Sequence, residues 1–474
     1  MRRTKIVATL GPASSSAEVI EELIRAGVDV FRLNFSHGTK EQQIRLAKII
    51  RDCSDKTGRI VGILADLQGP KIRTEKFIEG RVQLIRGETF ILDAELGADK
   101  GTNERVGIAY KNLPKDVKPG NVLLLDDGRV ELDVDHVKGG EIHCTVKYTC
   151  ELSNNKGINL KGGGLSAPAL TDKDREDIKT IAEIEADYVA LSFARTAADV
   201  NECRDLLRQA GGHGAIVTKV ERADAIRNID EIIDASDVIM VARGDLGVEM
   251  GDAELPAIQK SLIKNARNKN RIVITATQMM ESMIENPIPT RAEVFDVANA
   301  VLDGSDAVML SGETAVGRYP EKVIQAMDRI CVQAELQRQA MVSDHRVDLT
   351  FGRVDEAIAM ATMYSANHLK VCAIASLTES GATVLWMSRI SSGIPIYALT
   401  DRIRTARKVT LYRGVYPVYV EFDKLGPYNV TQSVVNVLVK KGIAQEGDRV
   451  IVTRGDLLGD EKGGSNAMKI VDVK

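Results

Sequence analysis

Lys219 and Glu221 stand two residues apart in Lys219-Val220-Glu221-Arg222, and Arg243-Gly244-Asp245 follows one predicted strand later. Residues i and i+2 of an extended chain share a face, so this ammonium and carboxylate point the same way while strand geometry lasts. Glu221 and Asp245 would offer hard oxygen ligands to a magnesium ion, which keeps waters and substrate oxygens in its other positions. An ammonium beside a carboxylate-held metal can neutralise charge on a phosphoryl group in flight. Gly244 lets backbone N–H groups approach an anion, and an expected turn from Asp245 to Gly251 leaves room for that approach.

A lone Asp-Gly or Lys-x-Glu is ordinarily a solvated turn or an exposed ion pair. Here the pattern recurs, because polar clusters also close other β-branched runs: Thr9-Leu10-Gly11-Pro12, Arg32 to Gly38, Asp66-Leu67-Gln68-Gly69-Pro70, Thr277-Gln278 and Ser311-Gly312-Glu313-Thr314. His37 alone reads as a capping or hydrogen-bonded histidine and receives no acid or base role. The chain has no G-x-x-x-x-G-K-S/T and no G-x-G-x-x-G after a first strand, so a nucleotide would be held by side chains and a covering domain. Spacing alone therefore points to a metal-dependent enzyme acting on an anionic substrate, with lyase, aldolase and kinase all open.

The elements that must position these groups are parallel βα units. The runs are Lys5 to Leu10, Asp29 to Asn34, Ile60 to Asp66, Tyr188 to Phe193, Ala215 to Val220, Val238 to Ala242, Ile272 to Thr277 and Ala307 to Leu310. They predict a TIM (β/α)8 barrel, whose working residues lie past the C-terminal ends of its strands. Ser16 and Thr171-Asp172 predict helix starts, and further helices are expected over Ala197 to Ala210, Leu255 to Asn268, Arg291 to Leu302 and Glu321 to Leu336. The stretch Pro70 to Ala169, with alternating runs at Val122 to Leu125 and Ile142 to Val146, is too long for a loop and reads as an inserted β-barrel-like lid domain over the barrel mouth. After about Ala340 the rhythm restarts as a C-terminal open α/β domain. The expected division is 1–69 and 170–340 for the barrel, 70–169 for the lid and 341–474 for the last domain.

The 474 residues carry a net charge of -4 with 44% hydrophobic and 27% charged residues, which gives no reason to expect nucleic acid or an anionic membrane as partner. Six cysteines are scattered without a CxxC pair, so neither a zinc nor a redox motif is indicated. No segment reaches the ~20 apolar residues of a membrane helix, and the basic start runs too soon into Gly11-Pro12 to be a signal peptide, so a cytoplasmic location is expected.

At the strand-end residues the sequence resembles the pyruvate kinases. The resemblance rests on Thr4-Lys5-Ile6 with Gly11-Pro12, Asn34-Phe35-Ser36-His37-Gly38, Val241 to Gly247, Ala276-Thr277-Gln278-Met279 and Leu310 to Ala315. It implies magnesium- or manganese-dependent phosphoryl transfer from phosphoenolpyruvate to ADP, giving pyruvate and ATP. Lys219 would stabilise the transferring group, Arg32 would grip the phosphate, and Gly244, Asp245 and Thr277 would hold the substrate carboxylate. Arg73 and Lys156 would meet the nucleotide phosphates, with Pro12, His37 and Asn34 on the nucleotide side. Glu221 and Asp245 would bind the divalent metal.

Asn34, Ser36, Asp66 and Leu67 keep the family's monovalent-cation pattern. However, potassium-requiring members carry Thr-Lys-Gly-Pro-Glu after the third-strand aspartate, where this chain has Leu67-Gln68-Gly69-Pro70-Lys71. An ammonium at Lys71 can take the cation's part, so K+ is not expected to be required. The turn Thr378 to Thr383, with Thr378, Ser380, Gly381 and Thr383, resembles the family's effector site for a phosphorylated allosteric ligand, although Asp456 to Glu461 make the facing loop acidic. The resemblance further implies a homotetramer. Two rival readings are another magnesium barrel enzyme acting on phosphoenolpyruvate or pyruvate, and a non-catalytic phosphometabolite sensor.

Overall fold

The computed structural model describes residues 1–70, 72–341, 350–425, 429–455 and 464–474. Lys71, most of the polar stretch after Met341 and the acidic loop from Asp456 to Glu461 lie outside the described residues.

All eight apolar runs become strands of one closed parallel barrel: β1 (Lys5–Thr9), β2 (Val30–Asn34), β3 (Gly62–Asp66), β4 (Tyr188–Leu191), β5 (Ala215–Val220), β6 (Val238–Ala242), β7 (Ile272–Ala276) and β8 (Ala307–Leu310). The runs are continuous rather than alternating because both faces are buried. Val7, Val30, Leu64, Val217, Met240 and Ile274 fill the interior. Ile6, Phe31, Ile63, Ile216, Ile239 and Val273 pack on the helices. β3 and β4 pair through Tyr188 and Leu64 even though the whole insertion separates them in sequence.

Helix starts follow their capping residues. Ser16 accepts from the Val19 N–H, and Thr171 forms a reciprocal capping box with Asp174. The predicted helices appear as Ala197–Gln209, Leu255–Asn268, Arg291–Asp303 and Pro320–Ala334. Arg243–Met250, expected as a turn beyond Gly244, is helical. Its Leu246 and Gly247 are buried, and that packing outweighs the poor helix propensity of its glycines.

The inserted domain is a six-stranded mixed sheet, in which Thr89–Asp93 runs parallel to Arg105–Gly107, beside a two-stranded ribbon of Arg81–Leu84 and Cys150–Ser153. The two sheets enclose one apolar core containing Leu84, Phe90, Leu132 and Leu152, so the packing is barrel-like while the hydrogen-bonded ring stays open.

The C-terminal domain is a five-stranded sheet: Val415–Tyr419, Ile396–Thr400, Ala373–Leu377, Arg449–Arg454 and Ala467–Asp472, the last antiparallel. It closes the bottom of the barrel. The fully buried Arg389 donates to both carboxylate oxygens of Asp306, one at 2.9 Å. Lys5 Nζ donates to the Val415 carbonyl at 2.6 Å, and the Tyr188 hydroxyl donates to the Lys408 carbonyl. All six cysteines are free. No helix among the described residues is long and apolar enough to cross a membrane.

Candidate active site

The end of β5 projects Lys219 into a buried ring of charge. Its Nζ lies 2.8 Å from Glu221 Oε1, 3.5 Å from Asp66 Oδ1 and 2.8 Å from Ser192 Oγ. Asp66, at the end of β3, also receives Arg32 Nε from β2 at 2.7 Å, and a second Arg32 nitrogen donates to Thr9 Oγ1 at 3.1 Å. Thus Arg32, Asp66, Lys219 and Glu221, written on three strands, meet at one mouth.

The electrostatics follow from this contact set. Burial alone would lower the Lys219 pKa, but the carboxylates of Asp66 and Glu221 outweigh it and hold the pKa above the ordinary lysine value. Burial likewise opposes ionisation of Asp66, yet Lys219 and Arg32 keep its pKa below the usual carboxylate range. Glu221 goes the other way. Burial raises its pKa, Lys219 offsets part of that, and the Asp245 carboxylate adds to it. Two mutually repelling carboxylates with one oxygen edge steadied by the Phe193 N–H at 2.9 Å are a donor set that a divalent cation would relieve. No cluster of three or more His, Cys, Asp or Glu residues suited to a metal occurs among the described residues.

Gly244 and Asp245 open the helix after β6, and the Gly244 N–H donates to Thr277 Oγ1 at 2.9 Å. Thr277 and Gln278 both hold positive φ, 68° and 54°, a strained pair of non-glycine residues at the end of β7. Buried Arg243 holds that bend in place, donating to the Ala276 and Thr277 carbonyls at 3.1 and 2.6 Å and to Asp296 at 2.7 Å. A cavity of about 950 Å³ runs past Arg32, Asn34, His37, Pro12 and Ser311, and a smaller one of about 250 Å³ joins Arg73, Asp245 and Phe193.

Residues 1–324 match the family model described as pyruvate kinase, barrel domain, and residues 356–471 match that described as pyruvate kinase, alpha/beta domain. The chain belongs to the pyruvate kinase family. It is 55% identical over 478 residues to pyruvate kinase II of Salmonella typhimurium, covering 100% of this chain and 99% of the relative. A pyruvate kinase of Haemophilus influenzae is 53% identical over 462 residues, 96% of each chain, and one of Sporosarcina psychrophila is 43% identical over 475 residues, 99% of this chain and 80% of that one. The chain is accordingly a phosphotransferase of glycolysis, in a family that requires a divalent metal.

Among the residues that the likeness to pyruvate kinases singles out, Pro12, Asn34, His37 and Arg32 share the larger cavity, while Arg73 and Asp245 share the smaller. Lys156 lines neither; its ammonium is paired with Asp126 at 2.7 Å within the lid. In the monovalent-cation pattern, Asn34 and Asp66 are register partners across β2 and β3, Ser36 N–H donates to Asn34 Oδ1 at 3.0 Å, and the Leu67 carbonyl accepts from Ser192 Oγ at 2.9 Å. Across the turn Thr378 to Thr383 the hydroxyls already have partners within the protein. Thr378 Oγ1 accepts from Gly381 N–H at 2.9 Å, Ser380 Oγ accepts from Ala382 N–H at 3.4 Å, and Thr383 Oγ1 pairs with Ser465 Oγ at 2.9 Å.

Two site residues escape a reading by residue type. Ser192 and Phe193 directly follow β4, at a strand end that bears no charge. Their roles rest on one hydroxyl and one backbone N–H, and Phe193 has φ +58°. Position alone, directly after a barrel strand, would have flagged them. Glu313, from the polar cluster after β8, is buried with its two oxygens on the N–H groups of Ser311 at 2.7 Å and Met280 at 3.1 Å, so it ties the β7 and β8 loops together.

Proposed function

We propose that this enzyme moves the phosphoryl group of phosphoenolpyruvate to ADP, with Lys219 as the cation facing the migrating group. The observation that carries this reading is the convergence of Lys219 and Glu221 at 2.8 Å, with Arg32 held on Asp66 beside them. The enol P–O bond breaks, a P–O bond to the terminal ADP phosphate forms, and the enolate takes a proton at carbon to become pyruvate. Arg32 orients the phosphate of the substrate, and Lys219, kept fully charged by its two carboxylates, stabilises the equatorial oxygens as negative charge spreads over them. Gly244, Asp245 and Thr277 hold the substrate carboxylate at the start of helix Arg243–Met250. Arg73 and Lys156 receive the nucleotide phosphates from the lid side, Lys156 exchanging Asp126 for phosphate. Pro12, His37 and Asn34 border the nucleotide. Mg2+ or Mn2+ held by Glu221 and Asp245 would supply charge neutralisation at the phosphoryl oxygens.

Potassium independence belongs to the same proposal, supported by Lys71 standing where potassium-requiring relatives have a glutamate. We further assign 70–169 as the moving lid, the turn at Thr378, Ser380, Gly381 and Thr383 as the seat of a phosphorylated effector, a cytoplasmic location, and a homotetramer. Ile288 and Phe295, 72% and 71% exposed beside and on helix Arg291–Asp303, offer apolar surface for such assembly.

Pyruvate formation from phosphoenolpyruvate, assayed with magnesium and with or without ADP, tests the reaction. The expected result is ADP-dependent pyruvate in sodium buffer. Pyruvate without ADP would favour a lyase-like barrel enzyme, and none under any condition a sensor. A rise of more than about tenfold on exchanging sodium for potassium, roughly 1.4 kcal/mol of barrier, would refute potassium independence.

A further inference from the structure

The chain returns from the lid to the barrel through Gly162-Gly163-Gly164-Leu165. All three glycines have positive φ, 82°, 79° and 110°, and none carries a side chain, so a neighbour can hold this stretch only through the strap's own backbone groups. The loop after β5 does so. The Leu165 carbonyl accepts from Arg222, Gly164 N–H donates to Asp224 Oδ2 at 2.9 Å, and the Gly162 carbonyl accepts from Arg227 at 2.8 Å. On its other side Gly162 N–H donates to the Glu249 carbonyl at 3.0 Å.

Arg227 is a surface group, its side chain 65% exposed. Arg222 is not: it is 3% exposed, its Nε has no partner among the described residues, and its guanidinium stands 3.6 Å from Asp224. Burying a guanidinium with an unmatched donor is unfavourable, so its placement here calls for an explanation. That position directly follows Glu221, and Arg222 lines the small cavity it shares with Arg73 and Asp245. The adjoining Ala223 N–H is held by the buried Glu249 carboxylate at 2.9 Å, so the base of the latch is rigid.

We propose that Arg222 is a positioning residue that pins the returning strap of the lid to the strand end carrying Glu221, and so sets how closely the lid's nucleotide-facing groups approach the barrel. This inference rests on the assignment of Glu221, Arg73 and Lys156 above. A pinned strap limits how far the lid can swing and keeps Arg73 over Asp245. Loss of the pin should weaken capture of the nucleotide more than the chemistry that follows.

The test is Arg222→Met in the full-length enzyme with magnesium, read by steady-state kinetics and by hydrogen exchange of residues 162–167. The expected result is a KM for ADP raised about tenfold, a kcat lowered less than about threefold, and faster exchange in the strap. Arg222→Lys, which retains a donor for the Leu165 carbonyl, should recover part of both effects. Unchanged strap exchange together with an unchanged KM for ADP overturns the proposal, as does an equal loss of kcat with native strap protection. If Arg222→Met does not fold, Arg227→Ala removes a second strap contact from an exposed site, and no rise in strap exchange there overturns the latch. Exchange is measured without substrate, so it judges the latch even if ADP proves not to be the acceptor.

Discussion

The Lys219 ammonium donates to the Ser192 hydroxyl at 2.8 Å, and that hydroxyl donates onward to the Leu67 carbonyl at 2.9 Å. One short relay thus joins the ends of β3, β4 and β5, and the lysine is aimed by an uncharged partner as well as by two carboxylates. Ser192→Ala removes that partner while leaving the ion pairs. Turnover should fall about five- to tenfold, close to 1 kcal/mol for one hydrogen bond, with KM for phosphoenolpyruvate changed less than kcat. A loss below about twofold would show that Asp66 and Glu221 orient the lysine unaided.

Lys219→Met removes the cation itself. Turnover should drop by a hundredfold or more, on the scale of ~3 kcal/mol for a lost transition-state donor, with phosphoenolpyruvate binding little changed. Equal loss of binding and turnover, measured by titration of the substrate and by initial rates, would make the lysine a ground-state anchor.

At the opposite end of the barrel, Arg389→Met would strand Asp306, whose carboxylate is buried beside the Val273 N–H at 2.9 Å. An uncompensated buried charge costs about 3–5 kcal/mol, so urea unfolding should show a loss of that order. The double variant Arg389→Met with Asp306→Asn should recover part of it. A double variant no better than the single would show that packing, not charge, is the main contribution of Arg389.

Lys5 supplies a pH dependence of stability. Buried beneath the C-terminal domain with its ammonium 4.2 Å from the Tyr416 ring centre, it is depressed by burial, offset in part by Asp29, from 10.5 to about 8. Between those values the unfolded chain holds the proton that the folded chain has released. The contribution of Lys5 to stability therefore rises with pH across this window and is lost as pH falls through about 8. The stability difference between the native chain and Lys5→Met, from urea unfolding, should grow in favour of the native chain by something on the order of 2 kcal/mol from about pH 8 to about pH 10. A pH-independent difference would refute the assignment.

Much of the architecture is legible without coordinates because a barrel strand is buried on both faces and must be continuously apolar, while its C-terminal end must turn into polar loops. Ile272 to Thr277 and Ala307 to Leu310 carry that signature in full. The helix Arg243–Met250 escaped it, since its glycines read as turn formers and only its buried side favours the helical form. The antiparallel strand Ala467–Asp472 escaped it too, being an edge element whose residues are half-exposed and weakly patterned.

For the site, the sequence by itself determined which chemical groups are available and that they sit at strand ends: Lys219 two residues before Glu221, Asp66 closing one strand, Arg32 within another. Tertiary structure alone decided which of them meet. Asp66 reaches Lys219 because β3 pairs with β4, and β4 with β5, across the inserted domain. Ser192 becomes a partner of the lysine only through that closure, and Lys156 is claimed by Asp126 rather than by the barrel. Local spacing sets the direction of a side chain, but distances between strand ends are set by closure of the whole sheet and the packing that holds it closed, and those are properties of the complete chain.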